Sequence, residues 1–137
     1  MITMNDVERL GALVVESDPL LLMFASDAAE DVGLVPYEAR TPERALRLLG
    51  ERGDLVAMFV DTDLVGRMDG LELAWTVHRR RPDIRIVVTS AGGTPDRKSL
   101  PPGAVYIPKP YDVRRIMKAM REALAFPSQG PDAVMVN

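Results

Sequence analysis

Leu55 to Val60, "LVAMFV", is a run of six apolar residues, and Asp61 ends it. The run is short for a buried helix and too uniform for a strand with one wet face. Strands covered on both faces read this way, and they belong to parallel sheets flanked by helices. The theme recurs along the chain in "ALVV" (12–15), "IRIVVTS" (84–90) and "AVYIP" (104–108), with "GLVPYEA" (33–39) a weaker example. Pro36 removes a ladder donor from this last run and so assigns it to a sheet edge. Between the runs lie segments of helical length with their own start and stop signals. Asp18-Pro19 precedes "LLLMFASDAAEDV", and Thr41-Pro42 precedes a helix from Glu43 to about Gly50. Asp69-Gly70 opens "LELAWTVHRRR", which Pro82 stops, and Asp112 lies near the start of a last helix from about Tyr111 to Phe126. Asp and Thr cap helix N-termini, and proline suits the first helical position. Strand and helix in alternation predict an α/β fold, one parallel sheet with helices on both faces and right-handed crossovers.

With 137 residues the chain fits one domain, expected over 1–126, with 127–137, "PSQGPDAVMVN", as a frayed tail or linker stub. The formal net charge of −3 gives no general pull toward nucleic acid or an anionic membrane. The absence of cysteine excludes a disulfide scaffold, a thiolate metal site and thiol catalysis. The opening "MITMNDVERLG" lacks a basic stretch followed by an apolar one, and no apolar run reaches the ~20 residues that span a bilayer. A cytoplasmic protein without direct nucleic-acid or membrane contact is the expectation.

In open parallel sheets, ligands sit beyond the carboxyl ends of the strands. Here those ends carry Glu16, Ser17 and Asp18 after the first strand, Asp61 and Asp63 after the third, Thr89 and Ser90 after the fourth, and Lys109 after the fifth. Carboxylates gathered at one mouth repel, and a hard dication such as Mg²⁺ relieves the repulsion through oxygen ligands. Beside such an ion a carboxylate at Asp61 can act as a nucleophile toward a phosphoryl group, with the product an acyl phosphate. A lysine can pair with a phosphate oxygen, and a serine hydroxyl can donate to another. An ammonium at the mouth stays within reach of water, so losing Lys109 is expected to cost function far more than stability.

The stretches "LVVESDPLL", "VDTDLVGRMDGLELA", "VVTSA" and "YIPKP" resemble the receiver domain of two-component response regulators, over about Leu13 to Leu124. The resemblance implies a flavodoxin-like, doubly wound five-stranded sheet of order 2-1-3-4-5. It implies Asp61 as phosphoacceptor, and Mg²⁺ held by Glu16, Asp61 and the backbone carbonyl of Asp63. It further implies Ser90 as switch hydroxyl, Tyr106 as switch aromatic, Lys109 as phosphate-pairing lysine, and a cis bond before Pro110. The implied role is signalling in a phosphorelay rather than enzymatic turnover. The donor would be a histidine kinase or phosphotransfer protein, and the downstream target is not specified by the sequence.

Three features depart from the family pattern. Ser17 stands where the family usually has an acidic metal ligand, so weakened Mg²⁺ binding is expected. The spacing from Asp61 to Asp69 is one residue longer than the commonest form, and "DLVGRMDG" resembles a longer variant of that loop. The segment from Ser90 to Tyr106 holds three glycines and three prolines, so the fourth helix is expected to shrink to one turn around Pro95 to Leu100. A degenerate receiver that acts as an interaction module is therefore an alternative. A further one is a phosphatase, since "FVDTD" also resembles the nucleophile motif of haloacid-dehalogenase-type enzymes. Asp18 as a plain helix cap, Asp69-Gly70 as a helix start, Trp75 as packing, His78 as a surface histidine and Arg79–Arg81 as a solvated helix end complete the reading.

Overall fold

The computed structural model describes residues 10–64, 66–125 and 134–135. Strands β1 (Gly11–Val15), β2 (Val35–Ala39), β3 (Leu55–Asp61), β4 (Arg85–Ser90) and β5 (Val105–Pro108) alternate with helices α1 (Pro19–Asp31), α2 (Pro42–Glu51), α3 (Gly70–Arg80) and α4 (Val113–Ala125). All the strands are parallel, in the order β2-β1-β3-β4-β5. A two-residue strand β6, Val134–Met135, adds to the free edge of β5, with Val105 opposite Val134 and Tyr106 opposite Met135. The tail expected over 127–137 thus contributes one short strand, which satisfies part of an edge that would otherwise present unpaired backbone groups. Phe126, 127–133 and 136–137 lie outside the described residues, as does Val65.

The apolar runs are uniform because alternate residues serve two cores. Leu13, Val15, Met58, Val60, Ile86 and Val88 face α2 and α3, with Ala45, Leu48, Leu73 and Val77 packed against them. Ala12, Val14, Ala57, Phe59, Val87 and Ile107 face α1 and α4, against Leu22, Ala25, Ile116 and Met120. Most residues of the central strands β1, β3 and β4 are therefore buried whichever way they point. β2 carries Pro36 and pairs only with β1, as its sequence requires.

The helix starts follow the capping signals. Asp18 Oδ1 accepts from the backbone N–H of Leu20 and Leu21, Thr41 Oγ1 from Arg44, Asp69 Oδ1 from Glu72 and Asp112 Oδ1 from Arg115. These bonds occupy amides that have no partner within the helix. α1 stops at Gly33, whose φ of +92° continues the chain in a conformation other residues avoid. Between β4 and β5 there is a single 3₁₀ turn, Arg97–Ser99, where the family's fourth helix would run. Asp96 caps it through Lys98 N–H, and Pro101-Pro102 follow directly, so it does not propagate. Among the described residues no helix is long and apolar enough to cross a membrane.

Candidate functional site

At the carboxyl end of the sheet the strand termini bring Glu16, Asp61, Asp63, Ser90 and Lys109 to one mouth. Asp61 is the last residue of β3 and only 2% exposed. Its Oδ1 accepts from the backbone N–H of Asp63 at 2.9 Å, and its Oδ2 from Lys109 Nζ at 2.8 Å. Glu16 follows β1 and is fully buried. Its Oε2 accepts from Asp18 N–H at 3.0 Å, while its Oε1 lies 3.5 Å from Lys109 Nζ and has no hydrogen-bond partner. Two buried carboxylates thus share one ammonium, an arrangement with a net negative charge.

The ionisation of these groups follows from that crowding. Burial pushes the Glu16 carboxyl above the ordinary carboxylate range, opposed by the Asp18 N–H, reinforced by Asp61 and opposed again by Lys109. For Lys109, burial works against the charged form. The hydrogen bond to Asp61 and the charges of Asp61, Glu16 and Asp63 outweigh it, and its pKa is raised.

Ser90 closes β4 half-buried, and its Oγ accepts from Gly92 N–H at 3.1 Å. Its carbonyl accepts from Lys109 N–H at 3.1 Å, so the hydroxyl and the lysine are tied through the backbone. Tyr106 is buried on the α2–α3 side, and its hydroxyl donates to Gly93 O at 3.0 Å. Tyr106 is therefore linked to the loop just after Ser90. The Lys109–Pro110 peptide bond is cis.

Contacts beyond those expected from the sequence also shape this mouth. The Asp63 carboxylate accepts from Ala91 N–H at 3.0 Å and bridges the β3 loop to the β4 loop. Arg40 donates to the Ser17 carbonyl from Nε and Nη2, at 3.3 and 3.0 Å, and pins position 17. Gly70 lies so close to the end of β3 that an added Cβ would clash with the Asp61 carbonyl oxygen and lie 2.7 Å from Thr62 Cα. Only that last feature has a sequence signal, a glycine directly after a capping aspartate. Tyr111 is 9% exposed, its ring edge-on to Phe59 at 5.8 Å, and its hydroxyl is buried without a partner. Asp18 and Asp69 are helix caps, as read from sequence, and Asp18 additionally orients Glu16 through its N–H. Trp75 donates from Nε1 to Ser99 O at 2.7 Å and meets His78 edge-on.

The oxygen-rich mouth suits a hard cation in character. Among the described residues, however, no group of three or more His, Cys, Asp or Glu side chains is placed to hold one.

Comparison with known proteins gives a consistent picture. The family described as response regulator receiver domain matches residues 12–121. The nitrogen assimilation regulatory protein NtrX of Azorhizobium caulinodans is 30% identical over 117 residues, which is 82% of this chain and 25% of that protein. The DNA-binding transcriptional regulator NtrC of Azospirillum brasilense is 31% identical over 116 residues, 82% of this chain and 24% of that one. The sensor kinase CckA of Brucella abortus is 28% identical over 116 residues, 82% of this chain and 12% of the kinase. The chain therefore spans a quarter or less of each of these relatives. Among solved structures, a CheY-like receiver domain from Methanospirillum hungatei JF-1 superposes with a TM-score of 0.72 at 21% identity, over 85% of this chain and 94% of that one. The receiver domain of NtrX from Brucella abortus gives 0.70 at 23% identity, over 82% and 97%.

Proposed function

Because the chain belongs to the response regulator receiver domain family, we propose that it is a phosphorelay switch that accepts a phosphoryl group on Asp61. The donor is the phosphohistidine of a histidine kinase or phosphotransfer protein. Family membership makes the domain a signalling module rather than a classical enzyme. The observation that carries the proposal is Asp61 itself, a nearly buried carboxylate with each oxygen held by a separate donor. Such a group is rigid and preoriented, as in-line attack on phosphorus requires. In the step, an Asp61 oxygen forms a bond to phosphorus as the nitrogen–phosphorus bond of the donor breaks, and the released imidazole keeps the electron pair. Lys109, already poised between Asp61 and Glu16, moves its hydrogen bond to a phosphoryl oxygen. The Ser90 hydroxyl then turns from Gly92 toward the same group, and the Gly93 loop carries that movement to Tyr106.

Glu16, Asp61 and the backbone carbonyl of Asp63 are the residues that would hold Mg²⁺. The unpartnered Glu16 Oε1 and the surplus negative charge support that assignment. When bound, the ion supplies charge neutralisation for the incoming phosphoryl oxygens. Incubation with acetyl phosphate and Mg²⁺ should add the mass of one phosphoryl group to the intact protein. A chain that never gains that mass, with a small donor or with a phosphohistidine protein, overturns the proposal.

Ser17 favours a second reading, a receiver that binds Mg²⁺ too weakly for efficient phosphorylation and acts by protein contact. A serine hydroxyl is neutral and a poor substitute for carboxylate around a hard dication. Ser17→Asp is expected to tighten Mg²⁺ by ~1–3 kcal/mol, the scale of a charge-assisted contact. It should also lower stability in the absence of metal by adding like charge beside Glu16 and Asp61. Calorimetric Mg²⁺ titration of both proteins checks this, and equal affinities would remove position 17 from the site. On either reading, partners cannot dock on a regular helix between β4 and β5, because a single turn stands there.

A further inference from the structure

We infer that Tyr111 is a positioning residue of this site, its hydroxyl holding Oε1 of Glu16 through one bridging water. The inference rests on the reading of the mouth as the phosphoryl-accepting site. Tyr111 is buried by the apolar part of its side chain, against Phe59 and the α1–α4 core. Phenylalanine would serve that packing equally well, whereas a buried hydroxyl without a partner carries a desolvation cost. Tyr111 nevertheless lines the same cavity as Lys109, whose Nζ lies 3.5 Å from Glu16 Oε1. After burial itself, the charges of Glu16, Asp61 and Asp18 raise the Tyr111 pKa, in that order.

Among the buried carboxylates of the mouth, one oxygen stands open. Both Asp61 oxygens are engaged, by Asp63 N–H and by Lys109. Asp18 is exposed and caps α1 through Oδ1. Among the described residues, Glu16 Oε1 is the one buried carboxylate oxygen without a hydrogen bond. A buried acceptor and a buried donor, each unpartnered, therefore occur at one mouth. Lys109 Nζ, 3.5 Å from Oε1, is too far for a good direct bond and close enough to share the same water. A cavity of about 340 Å³ lined by Leu21, Ala91, Lys109, Pro110 and Tyr111 opens at this point and gives solvent a way in. Tethered in this way, the longer Glu16 side chain gives up its rotamer freedom before a cation arrives.

Tyr111→Phe removes only the hydroxyl. It is expected to weaken Mg²⁺ binding about three- to tenfold by calorimetry, the range of one water-mediated bond. A double-mutant cycle with Glu16→Gln, read as thermal midpoints in chelator, isolates the contact without metal or phosphoryl transfer. The two effects should be strongly non-additive, with the Tyr111→Phe loss vanishing in the Glu16→Gln background. Additive midpoints, or a Tyr111→Phe variant that gains stability, would mean that the hydroxyl does not hold Glu16 and would overturn the inference. Because the cycle is run without metal, it decides this whether or not Asp61 accepts a phosphoryl group. Failure to label the parent protein would instead count against the function proposed above.

Discussion

Lys109→Ala is expected to destabilise the metal-free protein by on the order of 3 kcal/mol at pH 7, besides abolishing its response to phosphorylation. The sequence reading anticipated little loss of stability, on the view that an ammonium at a crevice mouth stays hydrated. The structure changes that expectation, because the Lys109 side chain is only 17% exposed and its partners Asp61 and Glu16 only 2% and 1%. Without the lysine, two carboxylates remain buried side by side with no compensating charge. The defect should shrink on acidification. The Glu16 carboxyl is already raised in the folded state above its ordinary 4.5, so the folded chain binds that proton more readily than the unfolded chain. Stability from this group therefore falls as pH climbs from 4.5 through the folded value, and returns as pH drops back through that window. The variant should show this dependence more steeply than the parent. At the alkaline end the parent alone should lose stability. Its Lys109 pKa is raised above 10.5 in the folded state, and the associated stabilisation disappears as pH rises through the folded value. Denaturant melts in chelator across the pH range check both limbs. A variant as stable as its parent at pH 7, with an unchanged pH profile, would show that Lys109 does not compensate these carboxylates.

Gly70→Ala should be the most disruptive single-methyl change at the site, costing upward of ~3 kcal/mol and impairing Asp61 at the same time. The obstruction is backbone, not a flexible side chain. An added Cβ would coincide with the Asp61 carbonyl and lie 2.6 Å from its carbon, and the Gly70 N–H already donates to Thr62 O at 3.3 Å. Either α3 backs away or the end of β3 moves, and both displace Asp61. Thermal melting together with phosphoryl uptake should show both defects. Gly50, where an added Cβ meets nothing within 4 Å, is the control, and Gly50→Ala should be tolerated. Equal behaviour of the two variants would mean that α3 does not need this close approach.

Much of the site could be read in the sequence because it sits at element ends, where punctuation is strong. Apolar runs identified β1, β3, β4 and β5, and whatever follows such a run in a parallel sheet faces the crevice. Glu16, Asp61, Ser90 and Lys109 were found that way. Asp18, Thr41 and Asp69 were recognisable as caps because each is followed at once by proline or glycine and then a helical pattern. The glycines and prolines between Ser90 and Tyr106 were enough to reduce a helix to one turn. Other features depend on the third dimension. That Lys109 is largely withdrawn from water follows from its reaching past β4 to Glu16 and Asp61 at the ends of the adjacent strands β1 and β3, which no local pattern expresses. The Asp63 bridge to Ala91 spans 28 positions and the Arg40 bond to Ser17 spans 23, so neither leaves a local trace. The Tyr111 hydroxyl was hidden for another reason, since an aromatic after Lys109-Pro110 is fully accounted for by packing until its oxygen is seen to lack a partner. β6 is two residues long, too short for a periodic signal.

The central claim is that the phosphoryl group resides on Asp61. Asp61→Asn should be compared with the parent protein after treatment with acetyl phosphate and Mg²⁺, with hydride reduction of the acyl phosphate and peptide mapping by mass spectrometry. The expected result is one phosphoryl mass on the parent, a reduction product at position 61 and no gain of mass in the asparagine variant. A variant that still acquires the group, with the product mapping to Asp63 or elsewhere, would contradict it.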